Sequence, residues 1–185
     1  MTETSFPWLY PFTESPHGER RHVNGQPVLR PVVPIVVSGA QPHDAARVLA
    51  LLDSGSERTL AAPGIARQIG VTPDPDRRIA LGVGGAIRNV RFADVTLRLH
   101  SLLDPSEQVE WQAEVGFIEE WKPTWAVLLG QSGFFDRFTV TFGRLALAFA
   151  VEPPDAFDGR FADAVQRIEQ AQLDGTIDGL GWVDE

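Results

Sequence analysis

Apolar side chains recur at every second position through most of the middle third of this chain. A two-residue period commits a segment to β-structure, because only in a strand do alternate side chains share a face. Ile79, Leu81 and Val83 alternate before Gly84-Gly85, and Ile87, Val90 and Phe92 resume after it, which predicts a hairpin with a glycine tip. Val95, Leu97 and Leu99 alternate, as do Val109, Trp111, Ala113, Val115 and Phe117. These runs read as half-buried antiparallel strands, joined by a turn over Ser101 to Glu107 that carries Asp104-Pro105-Ser106.

The remaining segments fit around that β region. Val32 to Val37 is a β-branched run interrupted by Pro34 and ended by Ser38-Gly39, expected as a strand with an edge or a bulge at the proline. Val48 to Leu52 is continuously apolar, the pattern of a strand buried on both faces, and it stops at Asp53-Ser54-Gly55. Ala61 to Val71 is expected to form one or two turns of helix closed by Gly70. Ser132 to Phe138 is expected as a short helix presenting Phe134, Phe135 and Phe138, followed by a hairpin that pairs residues 139–142 with 145–149 around Gly143-Arg144. Phe157, Phe161, Val165 and Ile168 recur at helical spacing, so residues 155–173 are expected to form an amphipathic helix. Its stripe is expected to pack on the β-structure, with a dimer or partner contact as the alternative.

The fold class is therefore all-β with short helices and a C-terminal amphipathic helix. Residues 1–29 read as an arm rich in Pro, Gly, Ser and charge, whose docking patch is Trp8, Leu9, Tyr10 and Phe12. Residues 30–152 form the body, and residues 153–185 the helix and an acidic tail anchored by Trp182.

Composition removes several classes of function. With 185 residues and 43% apolar content, the chain suits one domain with short extensions. It contains no cysteine, so disulfides and thiolate metal sites are out, and its four histidines, His17, His22, His43 and His100, include no pair at helical metal-ligand spacing. A zinc hydrolase is therefore not expected. A formal charge of −9 with interspersed signs disfavours nucleic acid as a partner. The N-terminal residues lack a basic start and an apolar core of signal-peptide length, and no stretch reaches the length of a membrane span, so the expected location is the cytoplasm, without a membrane partner. Only Lys122 of the sixteen basic residues is lysine, a skew that fits a GC-rich, bacterial genome.

Asp53 is the residue with most chemistry attached to it. It ends the apolar run as Asp53-Ser54-Gly55-Ser56, and Val127-Leu128-Leu129-Gly130 follows downstream. With the glycine-tipped hairpin between them, this order resembles the active-site framework of the retropepsin-like aspartic proteases. The resemblance covers about residues 30–150 and implies a closed β-barrel of the acid protease type. Aspartic protease chemistry needs two carboxylates sharing a proton, one activating water while the other polarises the scissile carbonyl. No second motif of this kind is present, since Asp158-Gly159-Arg160 and Asp174-Gly175-Thr176 have the wrong order. Two copies of the chain must therefore each supply one aspartate across a two-fold axis.

The resemblance also implies a reaction that requires no metal and no organic cofactor, and roles for the matching positions. Asp53 would be the catalytic carboxylate, Ser54 would hydrogen-bond across the dimer interface, and Gly55 would present its amide to the carboxylate pair. A hydroxyl at Ser56 would hydrogen-bond the ionised Asp53. Gly82, Val83, Gly84 and Gly85 would form a flap closing over a peptide bound as an extended strand. Leu128, Leu129 and Gly130 would pack behind the aspartate as structural support. Trp111, Trp121 and Trp125 are open between subsite and core.

Two departures stand out. Viral members often pair an acid four positions after the aspartate with an arginine just after the later glycine. Here Glu57 and Gln131 occupy those positions, leaving Arg58 or Arg137 as replacement cations. The spacing from Asp53 to Gly130 is also longer, implying extended connections around residues 101–107 and 119–125. The function expected is that of an aspartic endopeptidase. The alternatives are a non-catalytic dimeric module that binds peptides or directs assembly on the same fold, and an unrelated all-β structural domain with an accidental motif.

Overall fold

The computed structural model describes residues 6–15, 25, 27–41 and 44–174. In chain order the elements are β1 (Trp8–Glu14), β2 (Leu29–Ser38), β3 (Ala45–Leu52), β4 (Leu60–Ala61), α1 (Pro63–Gln68), β5 (Arg78–Val83), β6 (Ala86–His100), β7 (Gln108–Ile118), β8 (Val127–Leu129), β9 (Thr139–Gly143), β10 (Ala148–Glu152) and α2 (Pro154–Leu173). The architecture is mostly β-sheet, as the two-residue period predicts. The strands lie in the order β5-β6-β7-β4-β8-β3-β2-β1-β10-β9, and β6 also pairs with β2. That extra pairing closes β6, β7, β4, β8, β3 and β2 into a ring. Among the described residues β5 pairs only with β6, while β1, β10 and β9 extend outward from β2.

The ring closes because each long strand turns one apolar row inward. Val33, Ile35 and Val37 of β2, Val95, Leu97 and Leu99 of β6, and Trp111, Ala113 and Val115 of β7 share one buried cluster. A second, smaller cluster of Leu60, Val90, Phe92 and Ile118 lies against Leu81 and Val83 of β5 and against Trp121 and Leu128. It supports the β5–β6 hairpin.

Four elements differ from their sequence expectations, each for a local physical reason. Residues 48–52 are not buried on both faces: the burial of β3 alternates, and Leu49 is 48% exposed. The proline-bearing strand β2 is internal and has no bulge of the kind expected at Pro34. Its ladder with β1 stops at Pro31 and its ladder with β6 starts at Ile35, so Pro34, which cannot donate, stands where β2 changes partner. Residues 132–138 form consecutive turns rather than a helix, because Ser132 is drawn into a bridge with Arg58 and Gly133 takes φ +95°. Along α2 the predicted stripe is largely uncovered. The Phe157 and Phe161 rings meet at a tilt with centres 4.7 Å apart, but Phe161 is 44% and Ile168 53% exposed. The helix is instead pinned near its start by Arg160, which grips the fully buried carboxylate of Glu152 at the end of β10.

Inside the segment expected as an arm, β1 pairs with both β2 and β10. Trp8 and Tyr10 are buried, Trp8 Nε1 donates to Glu107 at 2.9 Å, and the Tyr10 hydroxyl donates to the His100 carbonyl at 2.7 Å. Burial pushes the Tyr10 phenol well above its ordinary range. Helix α1 ends just before Gly70, and β9 and β10 form the expected hairpin, although its second strand starts at Ala148. His17, His22, His43 and the tail from Gly175 through Trp182 lie outside the described residues. Among the described residues no helix is long and apolar enough to cross a membrane.

Candidate active site

The Asp53 loop is built on a three-strand junction. The short strand β8 lies between β3, to which it is parallel, and β4, to which it is antiparallel. Asp53 continues the β3–β8 ladder by one bond, donating its N–H to the Leu129 carbonyl at 2.9 Å. The chain then turns at Ser54-Gly55: the Ser56 N–H returns to the Asp53 carbonyl at 3.0 Å, and the Gly55 N–H donates to Asp53 Oδ1 at 3.2 Å. The carboxylate is therefore oriented by an amide of its own turn.

Behind this turn runs the segment from Gly130 to Ser132. The Gln131 N–H donates to Ser56 O at 2.8 Å and the Ser132 N–H to Glu57 O at 3.0 Å. Contact is so close that a Cβ on Gly130 would stand 2.3 Å from the Arg58 carbonyl oxygen, so only glycine fits. Thr59, fully buried, adds a lock that the sequence did not flag. Its Oγ1 donates to Ser132 O at 2.9 Å and accepts the Gly130 N–H at 3.2 Å. Nothing in a lone Arg-Thr-Leu triplet announces that role.

Ser56 does not act as expected. Its hydroxyl donates to the Arg58 carbonyl at 2.7 Å, and a hydroxyl has a single proton, so none is left for the Asp53 carboxylate. Ser54 is exposed, and its carbonyl accepts Gln131 Nε2 at 2.7 Å. Arg58 pairs with Glu114 of β7 at 3.2 Å.

A cleft of about 580 Å³ opens over this loop. Asp53, Gly55, Ser56 and Arg58 line one side of it. Leu81, Gly82, Val83 and Gly84 line it from the hairpin, whose two-residue turn pairs Val83 with Ala86. Gly84 and Gly85 adopt φ +60° and +80°, the left-handed values that such a turn demands. Leu60, Leu128, Trp121 and Trp125 complete an apolar wall. Thus Asp53, Gly55, Ser56, Gly82, Val83, Gly84 and Leu128, which are distant in sequence, face one cavity. Leu129 and Gly130 support the loop from behind, and Ser54 and Gly85 are exposed. The tryptophans divide: Trp121 and Trp125 line the cleft, whereas Trp111 is core and donates Nε1 to Gly133 O at 2.8 Å.

Arg58, which lines the cleft, belongs through Glu114 to a cluster of charges that reaches beyond it. Arg77, just before β5, donates to Asp94 and to Glu114, and the hydrogen bond from Arg77 holds the Asp94 carboxyl below its ordinary range. Among the described residues no three His, Asp or Glu side chains converge as metal ligands would. The chain matches no protein-family model and no curated protein. The functional reading therefore rests on these residues and their geometry.

Proposed function

We propose that the chain is an aspartic endopeptidase of the retropepsin-like type, acting as a homodimer in which two Asp53 carboxylates share one cleft. The observation that carries the reading is the placement of Asp53. It leaves a ring strand on a Ser-Gly turn, is braced from behind by Leu129 and Gly130, and opens into a cavity covered by a glycine-tipped hairpin. A structural aspartate in an ordinary turn needs neither the brace nor the covered cavity. In this reading the ring of strands is the closed barrel of the acid protease fold, and β5–β6 is the flap.

Two carboxylates a few Å apart cannot both ionise freely, so one keeps its proton and polarises the peptide carbonyl while the other takes a proton from water. Water attacks directly, without a covalent enzyme intermediate. The substrate lies as an extended strand under the hairpin, held by main-chain hydrogen bonds, and an apolar side chain enters the wall formed by Leu81, Trp121 and Leu128. Ser56 stabilises the loop and leaves the dyad's proton to the two aspartates. The test is incubation with a diverse peptide pool between acid and neutral pH, for the native chain and for Asp53→Asn. Cleavage that vanishes in the variant supports the reading. Equal cleavage by both, or none from a folded, dimeric native chain, counts against it.

A further inference from the structure

Asp94 and Glu114 stand directly opposite each other on the antiparallel β6–β7 ladder, an arrangement in which two like charges repel. The guanidinium of Arg77 spans the pair, donating to Asp94 Oδ2 at 2.9 Å and to Glu114 Oε2. Glu114 Oε1 receives Arg58 Nη1 at 3.2 Å. The four charges balance, and they connect two parts of the cleft that share no strand ladder. Arg77 is the residue before β5 and so the root of the hairpin; Arg58 belongs to the Asp53 loop.

A second link follows the same route. The Arg77 carbonyl accepts the Phe92 N–H at 3.0 Å, and the Arg58 guanidinium lies 5.7 Å from the centre of the Phe92 ring. At the loop end Arg58 cannot drift. Its backbone bridges Ser132, and its carbonyl both holds the Ser56 hydroxyl and abuts Gly130. A shift at Arg77 is therefore passed to an anchored point in the loop and not dissipated in solvent.

We propose that Glu114 is a positioning residue of the cleft: one carboxylate oxygen holds the hairpin root through Arg77 and the other holds the Asp53 loop through Arg58. Roof and floor then keep one registry, which is what a strand-shaped ligand pinned between them requires. The proposal rests on the peptidase reading only in what the cleft does, since the coupling itself is a property of the four charges. Arg98 and Glu110 form a matching ion pair at 2.6 Å farther along the same β6–β7 ladder, outside the cleft, and supply the control.

The experiment is amide hydrogen exchange on the full chain, comparing Glu114→Gln with Glu110→Gln, together with kcat and KM on any cleaved peptide. Glu114→Gln is expected to speed exchange several-fold at residues 79–89 and to raise KM with kcat little changed, while Glu110→Gln leaves the hairpin as in the native chain. Arg77→Lys, which keeps the charge and loses the fork, provides the same comparison if Glu114→Gln does not fold. Hairpin exchange that is unchanged, or changed equally by Glu110→Gln, overturns the proposal. Absence of cleavage by the native chain counts against the role of Asp53, and the exchange comparison still decides that of Glu114.

Discussion

Thr59 and Gly130 meet behind the Asp53 loop, the threonine Oγ1 accepting the glycine amide at 3.2 Å while donating to Ser132 O at 2.9 Å. One buried hydroxyl thus ties together the two segments that brace the aspartate. Thr59→Val keeps the shape and removes both bonds, leaving a buried amide unpaired. The expected cost is about 2 kcal/mol, from two hydrogen bonds of about 1 kcal/mol each. Urea unfolding checks it as a lower midpoint with an unchanged slope.

Gly130→Ala tests the same junction by volume. The added methyl would sit 2.3 Å from the Arg58 carbonyl oxygen and 2.7 Å from that of Ser56, neither of which can move without breaking the loop. A loss of at least roughly 1–3 kcal/mol is expected from such overpacking. Any cleavage activity should fall further than stability accounts for, because the displaced backbone carries Asp53.

Tyr10 is the only tyrosine, so its titration can be followed without ambiguity. Its phenol is pushed up by burial, so on raising the pH the unfolded chain ionises first, at about pH 10. Stability is then full below that value and falls as pH rises through the native one. Tyrosinate absorbance should appear together with loss of structure. Tyr10→Phe should remove this dependence at a cost of about 1 kcal/mol at neutral pH, from the bond to His100 O.

Asp94 behaves in the opposite sense. Its carboxyl is held below the ordinary range by the hydrogen bond from Arg77, so its contribution is present in full above about pH 4, the unfolded value, and is lost as pH falls through the depressed native value. Melting temperatures of the native chain and Asp94→Asn should differ at neutral pH and converge in strong acid. The difference will be small, since the aspartate is mostly exposed.

Arg160 and Glu152 make a different prediction, because here one partner is fully buried. Arg160→Met strands the Glu152 carboxylate and should lower the melting temperature, and adding Glu152→Gln should restore part of the loss. A double variant no better than the single one would show that the pair contributes through packing alone.

These sites also show where sequence was informative. Strands with a two-residue period, such as Val95-Leu97-Leu99 facing Trp111-Ala113-Val115, are legible because each buries one face. The strand at Trp8–Glu14 is not, because it is interrupted by Pro11 and ordered by partners far away in sequence, β2 and β10. Phe134, Phe135 and Phe138 do have helical spacing, but the pull of Arg58 on Ser132 overrides it. In the site, the Asp53 turn and Gly84-Gly85 follow from residue type. Thr59 and the Arg58–Glu114–Arg77 chain do not, since their partners lie 37 to 73 residues apart and no local pattern links them.

In the proposed enzyme two copies of the chain each contribute Asp53 to one reaction. The most direct measurement is the cleavage rate of a fixed peptide as native protein concentration is raised, alone and with a growing excess of Asp53→Asn. With a shared site the rate climbs more steeply than concentration in the dissociating range and is suppressed as native chains are drawn into mixed dimers. A rate strictly proportional to concentration and indifferent to the added variant would contradict it.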